Sequence, residues 1–216
     1  MRLLDLFCGA GGCGAGYHRA GFDVVGVDIA PQPRYPFEFH QADALEYLAA
    51  HGHEFDVIHA SPPCQAYSRI EHVVRAKFGS SAPSRVDLVA RTREALMATG
   101  KPYVIENVPG APLINPMMLC GLMFGLRVIR HRLFESTVFM LAPSHRSHAR
   151  VYTNAFAGVS GFRHGATHIC VTGNNFIVAD ARVGMEIGWM SAKELTQAIP
   201  PAYTEWIGRQ MIEALT

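Results

Sequence analysis

The chain has 216 residues, 49% hydrophobic and 17% charged, with a formal net charge of +1. That is enough apolar material for one sizeable core and excludes a disordered chain. A near-neutral balance gives no bulk attraction to nucleic acid, although a local basic face suffices for that.

No apolar run approaches the roughly 18 residues of a membrane span. The five cysteines include no CxxC pair, which argues against a disulfide framework or a zinc ribbon and for a reducing, cytoplasmic compartment. The opening run Leu3–Phe7 is short, carries Asp5 and does not read as a signal peptide.

In chain order, Arg2–Phe7 reads as a strand, and a glycine-rich run, Cys8 to Gly16, follows it. A helix is predicted to start inside that run and to stop at Gly21. Phe22–Asp28 then reads as a second strand with an acid at its end. Strand, glycine turn, helix, strand and acid open a nucleotide-binding α/β domain: glycines let the backbone approach a ligand, and the acid accepts ribose hydroxyls. The spacing is not a clean dinucleotide fingerprint, and a tight packing turn is the competing reading. Asp43 is placed to cap a helix over 44–50.

Phe55–Ala60 reads as a buried strand that runs into Ser61-Pro62-Pro63-Cys64-Gln65. Two prolines end the strand and stiffen the backbone that delivers Cys64. By itself this is either a tight turn or a held nucleophile. A long polar loop, Tyr67–Pro83, follows, and such loops in compact domains tend to be functional. Ser84 is placed to cap a helix through Thr99. Pro102–Val108 reads as a strand ending in Glu106 and Asn107, and a buried carboxylate there needs a partner or a task.

Arg130 to Glu135 is predicted as a strand with Arg130 and Arg132 on one face. From Pro143 to His168 the chain is basic, polar and aromatic, the composition of a nucleic-acid contact segment. His145-x-x-His148 and His164-x-x-x-His168 have metal-ligand spacing but little cysteine or carboxylate support, so surface or nucleic-acid contact is the preferred reading and no metal is expected. Strands are predicted at 168–172 and 176–178. Ser191 with Glu194 forms a capping box, and a last helix follows Pro200-Pro201.

A glycine turn, a cysteine loop and Glu106 thus end three strands, and in an open α/β sheet such ends face one crevice. In that order the motifs resemble the cytosine-C5 DNA methyltransferase family. Asp5–Gly12, Gly26–Asp28 with Asp43, Ser61–Gln65 with Ser68, Glu106-Asn107-Val108, Arg130-His131-Arg132 and Ala198–Pro201 match its motifs from residue 5 to about 208. Val128 stands where the arginine motif usually has Gln, and Gln197 where the last motif usually has Asn.

The resemblance implies a Rossmann-like, S-adenosylmethionine-dependent fold with a mixed, mostly parallel sheet and helices on both faces. Its expected division is a catalytic and cofactor-binding domain over 1–135, a small recognition region over 136–190 and a returning segment over 191–216. It implies that Cys64 attacks C6 of a flipped cytosine while Glu106 holds N3, with Asn107, Arg130 and Arg132 in support. It implies cofactor contacts from Phe7, Gly9, Ala10, Gly11, Gly12, Asp28, Ile29, Asp43, Ala44, Pro62, Pro63, Gln197 and Ile199. DNA is the expected partner and a monomer the expected state, in a prokaryotic or phage restriction-modification setting. RNA methylation, transfer of a modified group to C5 and a catalytically silent DNA-binding homologue remain open alternatives.

Overall fold

A computed structural model describes residues 1–63, 88–145, 147–148, 160–162, 165–171 and 175–216. Seven strands form one sheet: β1 (Arg2–Leu6), β2 (Asp23–Asp28), β3 (Glu38–Gln41), β4 (Val57–Ala60), β5 (Tyr103–Asn107), β6 (Met117–Leu119) and β7 (Arg132–Ser136). Their order is β3-β2-β1-β4-β5-β7-β6. The first five are mutually parallel, while β7 pairs antiparallel with both β5 and β6. The central strands are buried on both faces, which is why they read as near-continuous apolar runs.

Helices cover the two faces. On one lie α1 (Gly12–Ala20), α4 (Val178–Met185), α5 (Ala192–Gln197) and α6 (Pro201–Leu215), packed over Leu3, Val24, Val57 and Val104. On the other, α2 (Ala44–His51) and α3 (Leu88–Ala98) cover Leu4, Leu6, Val27, Ile58 and Ile105. Residues Ile169, Val171, Phe176, Met185 and Ile187 join the core of Leu3 and Tyr17. Among the described residues, the stretch expected to form a recognition region is therefore packed on the catalytic sheet.

The predicted helix ends are found. Gly21 closes α1 with a left-handed backbone, Asp43 caps α2 through the N–H groups of Leu45 and Glu46, and Ser191 and Glu194 form the capping box of α5. Pro201 is the first residue of α6, where a missing N–H costs nothing.

The strands expected at 168–172 and 176–178 are not strands. Ile169 and Phe176 make only isolated bridges, to Val128 and Ser160, and Val178 opens α4. The β-branched Ile177-Val178 pair mimics a strand, and the side chain of Ile177 makes no cap hydrogen bond that would have signalled the helix. Strands β3 and β6 were not anticipated; both are short and lie at the sheet's edges. The start of the helix predicted from Ser84 lies outside the described residues.

Candidate active site

The chain runs outward from β1 to β2 and β3, then crosses back to place β4 on the other side of β1. That reversal opens a crevice beyond the strand ends. The register levels the loops: Leu6 pairs with Val27 and Ala60, and Ala60 with Ile105. Phe7, Asp28, Ser61 and Glu106 consequently leave the sheet at one height.

On the cofactor side, Phe7, Gly9 and Gly11 hold φ values of 56°, 49° and 83°. This left-handed backbone favours glycine. The Gly9 N–H donates to Asp28 Oδ2 at 3.0 Å, and the Ala30 N–H to Oδ1 at 2.9 Å, so the acid and the turn fix one another. Each carboxylate oxygen keeps a further lone pair.

A methyl-sized atom added at Gly9 would meet open space, and Ile29 beside Asp28 is 72% exposed. An open glycine cradle, a carboxylate with free lone pairs and a bare apolar side chain suit an adenosine-type ligand. Phe7 and Asp43 line one shallow depression. Ala44 is buried under it, Pro62 is buried and Pro63 is exposed. Gln197 is exposed at the end of α5, and Ile199 is brought against the start of α1.

Gly12, unlike Gly9, is crowded by protein. It is the first residue of α1, and a side chain there would overlap the Ile199 carbonyl. At Gly12, Gly14 and Gly16 the missing side chain makes room for neighbouring protein atoms.

On the base side, Glu106 is buried at the end of β5, with Arg132 Nε 3.1 Å from its Oε1. Burial raises its carboxyl above the usual range. Arg132, the Ser61 hydroxyl and Arg130 oppose that rise. The Asn107 side chain donates to the Pro62 carbonyl at 2.9 Å, so β5 holds the proline loop directly. Cys64, Gln65, Ser68 and the loop Tyr67–Pro83 lie outside the described residues.

Arg130 is placed differently from the expectation. Its guanidinium is buried and donates to the carbonyls of Val171 and Thr196 at 2.9 and 2.7 Å. Burial pulls its pKa down to about 9. Arg130 therefore braces the 171–196 segment, and of the two arginines it is Arg132 that is paired with Glu106.

Sequence reading missed three supports of this site. His59, buried on β4, bridges the Tyr17 hydroxyl and Ser61 Oγ, each at 3.0 Å. Burial drives its pKa down to about 3, so it stays neutral. Tyr35 lies over Gly26 and donates to Asp5, whose carboxyl burial pushes up to about 7. Trp189 Nε1 donates to the Ala10 carbonyl at 2.8 Å and pins the glycine turn from outside. The period-two alternation of strands put Asp5 and His59 on the α1 side; that signal was available. The tyrosine and the tryptophan come from loops and had none. Cys8 and Cys13, also near the crevice, have thiols that burial holds protonated.

A family profile described as C-5 cytosine-specific DNA methylase matches residues 1–111, from β1 through the Glu106-Asn107 strand end. The chain belongs to the C-5 cytosine-specific DNA methylase family. As a DNA cytosine-C5 methyltransferase it transfers a methyl group from S-adenosylmethionine to cytosine.

Solved structures with the same fold include a protein described as a DNA modification methyltransferase encoded within an E. coli prophage, 15% identical with a TM-score of 0.63. Schizosaccharomyces pombe Dnmt2 (13%, 0.65) and the Entamoeba histolytica methyltransferase EhMeth (12%, 0.64) are similar too. Each of the three alignments covers 100% of this chain and 99% of the other. At these identities the likeness shows the methylase fold alone. No curated protein matches the chain. Among the described residues, no helix is long and apolar enough to cross a membrane.

Proposed function

We propose that this methyltransferase works through a covalent adduct between Cys64 and a cytosine flipped out of duplex DNA, with Glu106 as the acid that makes the ring electrophilic. The observation that carries this reading is the joining of two strand ends. Asn107 holds Pro62 at 2.9 Å, and Ser61 hydrogen-bonds the buried Glu106 carboxyl. Cys64 follows Pro62 by two residues in the chain, so the segment that leads to the thiol is tied to the strand that carries the acid.

The steps balance as follows. The Cys64 thiolate bonds to C6, and the ring electrons move toward C5 and N3, where Glu106 supplies or holds the proton. C5 would then take the methyl group that bound S-adenosylmethionine would supply, with the S–CH3 bond breaking to leave S-adenosylhomocysteine. Loss of the C5 proton and cleavage of the C6–S bond release the product and regenerate the thiolate. Neither C5 nor C6 is reachable inside the stack, so the base must leave it.

Arg132 balances the charge of Glu106 and stays close enough to meet the base. The cofactor is held by Phe7, Gly9, Ala10 and Gly11 with Asp28 and Ile29, and by Asp43, Ala44, Pro62, Pro63, Gln197 and Ile199 around them. Gly12 serves that site by letting Ile199 approach. Residues 136–190 contribute the DNA contacts, and a monomer in a prokaryotic or phage-infected cell is the working state.

Covalent trapping tests the mechanism. With S-adenosylmethionine and a duplex carrying 5-fluorocytosine, the missing C5 proton blocks release, so a protein–DNA band resistant to denaturant is expected. Cys64→Ser should abolish the band. A band that persists in Cys64→Ser, or none in the unaltered enzyme under conditions where it methylates ordinary DNA, overturns the mechanism. The same labelled cofactor with RNA in place of DNA checks the substrate.

A further inference from the structure

The structure draws four metal-ligating side chains together. Cys120 follows β6, His131 precedes β7, and His145 and His148 come from the start of the stretch expected to read DNA. Their donor atoms all lie within 4.8 Å of one another. Cys120 Sγ is 3.6 Å from His148 Nε2, which is 3.2 Å from His145 Nε2. The His131 ring stacks on His148 with centroids 5.1 Å apart. His168, which the spacing had grouped with them, instead bonds the Thr167 hydroxyl.

These separations have the size that a metal imposes. A tetrahedral zinc ion with Zn–N near 2.0–2.1 Å and Zn–S near 2.3 Å has donor–donor edges of about 3.3–3.6 Å. A hydrogen-bonded cluster explains them less well. An imidazole Nε2 has a single in-plane direction, for a lone pair or for a proton. His148 Nε2 nevertheless faces both a sulfur and a second ring nitrogen. The cluster includes no carboxylate that could balance protonated rings.

We propose that Cys120, His131, His145 and His148 bind one zinc ion as a closed, structural site. One sulfur and three nitrogens select zinc over magnesium or calcium, and four protein ligands leave no position for substrate. Binding takes Cys120 as its thiolate, with the proton released to solvent. Two ligands belong to the catalytic sheet and two to the segment beyond it. His131 sits between Arg130, which braces the 171–196 segment, and Arg132, which meets Glu106. The ion therefore fastens the start of the DNA-reading stretch to the strand that carries the active-site arginine.

Metal analysis of the full chain, purified without chelator and dialysed against zinc and then metal-free buffer, tests the site. About one zinc per chain is expected, falling at least roughly tenfold in Cys120→Ser and in His148→Ala. The exposed His145→Ala variant leaves the core untouched and should weaken zinc retention while circular dichroism stays unchanged. A cobalt-loaded protein should show the intense visible bands of a tetrahedral ion and a thiolate-to-cobalt band that Cys120→Ser removes. A folded protein that keeps less than about a tenth of an equivalent of zinc, or a zinc content indifferent to all three substitutions, overturns the proposal. None of these readouts depends on Cys64 or on methyl transfer.

Discussion

In the proposed mechanism Glu106 must keep a proton available while a guanidinium stands 3.1 Å from it. Burial favours the neutral acid, and the Arg132 charge and the Ser61 hydroxyl favour the carboxylate. Ser61 can be tuned without touching the charge pair, and His59, neutral and fixed by Tyr17, orients its hydroxyl. A hydroxyl that donates to a carboxylate lowers its pKa, so Ser61→Ala should raise the pKa of Glu106 further. Because the reaction uses the protonated acid, activity is lost as pH rises through that pKa. The alkaline limb of the kcat profile should therefore move to higher pH in Ser61→Ala. A limb that moves to lower pH would contradict the hydrogen bond's direction. In Glu106→Gln the limb should vanish, with kcat down about 10²–10⁴-fold and cofactor affinity nearly unchanged.

At the scale of elements, the close packing around α1, including its seam with α6, explains why glycine recurs along it. Three glycines inside a helix cost about 0.8–1.0 kcal/mol each relative to alanine, which makes sense only if something lies close. Gly12 admits Ile199, Gly14 admits Asp5 and Tyr35, and Gly16 admits Pro201 and Thr204. Thr204 Oγ1 also donates to the Cys13 carbonyl. A methyl group at Gly16 would overlap the Pro201 carbonyl and the Thr204 hydroxyl, so backbone must move. Gly16→Ala should destabilise by about 1–3 kcal/mol, seen as a fall in Tm of ~2–4 °C for each kcal/mol at this chain length. Gly188→Ala, where a methyl group meets nothing, should stay within about 0.5 kcal/mol. Equal losses in thermal unfolding at the two positions would refute the seam.

The same seam marks where sequence reading succeeds. Strand ends, caps and the order of motifs were legible because each depends on neighbours in the chain: Asp43 and Ser191 cap the helices that they precede, and Gly21 ends its own. What was not legible depends on distant segments. Nothing near Gly16 announces Thr204, nothing near Ala10 announces Trp189, and nothing near His145 announces Cys120. Arg130 and Arg132 look equivalent two residues apart, yet one braces carbonyls and the other meets Glu106. Ile177-Val178 misled because β-branched residues favour strands locally while the packing of Ala181 and Met185 into the core favours a helix.

For the whole molecule, the question is how much surface remains to read DNA. Under the proposed assignment the stretch between Arg132 and Ser191 supplies the contacts that choose a target, but much of what is described there serves the fold. Ile169, Val171, Phe176, Ala181, Met185, Ile187 and Met190 lie in the core beneath α1. Arg127, just before this stretch, lies 3.5 Å over the Phe162 ring and donates to the Thr167 carbonyl. Reading a base pair directly takes a bidentate side chain placed in a groove, whereas phosphate contacts position the protein without choosing a sequence. Among the described residues few side chains remain for the first task, and the whole stretch between Arg132 and Ser191 is short. The enzyme should therefore methylate cytosine in short or relaxed contexts, and bisulfite sequencing of DNA from expressing cells measures this directly. Modified cytosines should share only the bases next to the target. Methylation confined to a site of roughly six or more base pairs would mean that the short stretch reads far more than its length allows.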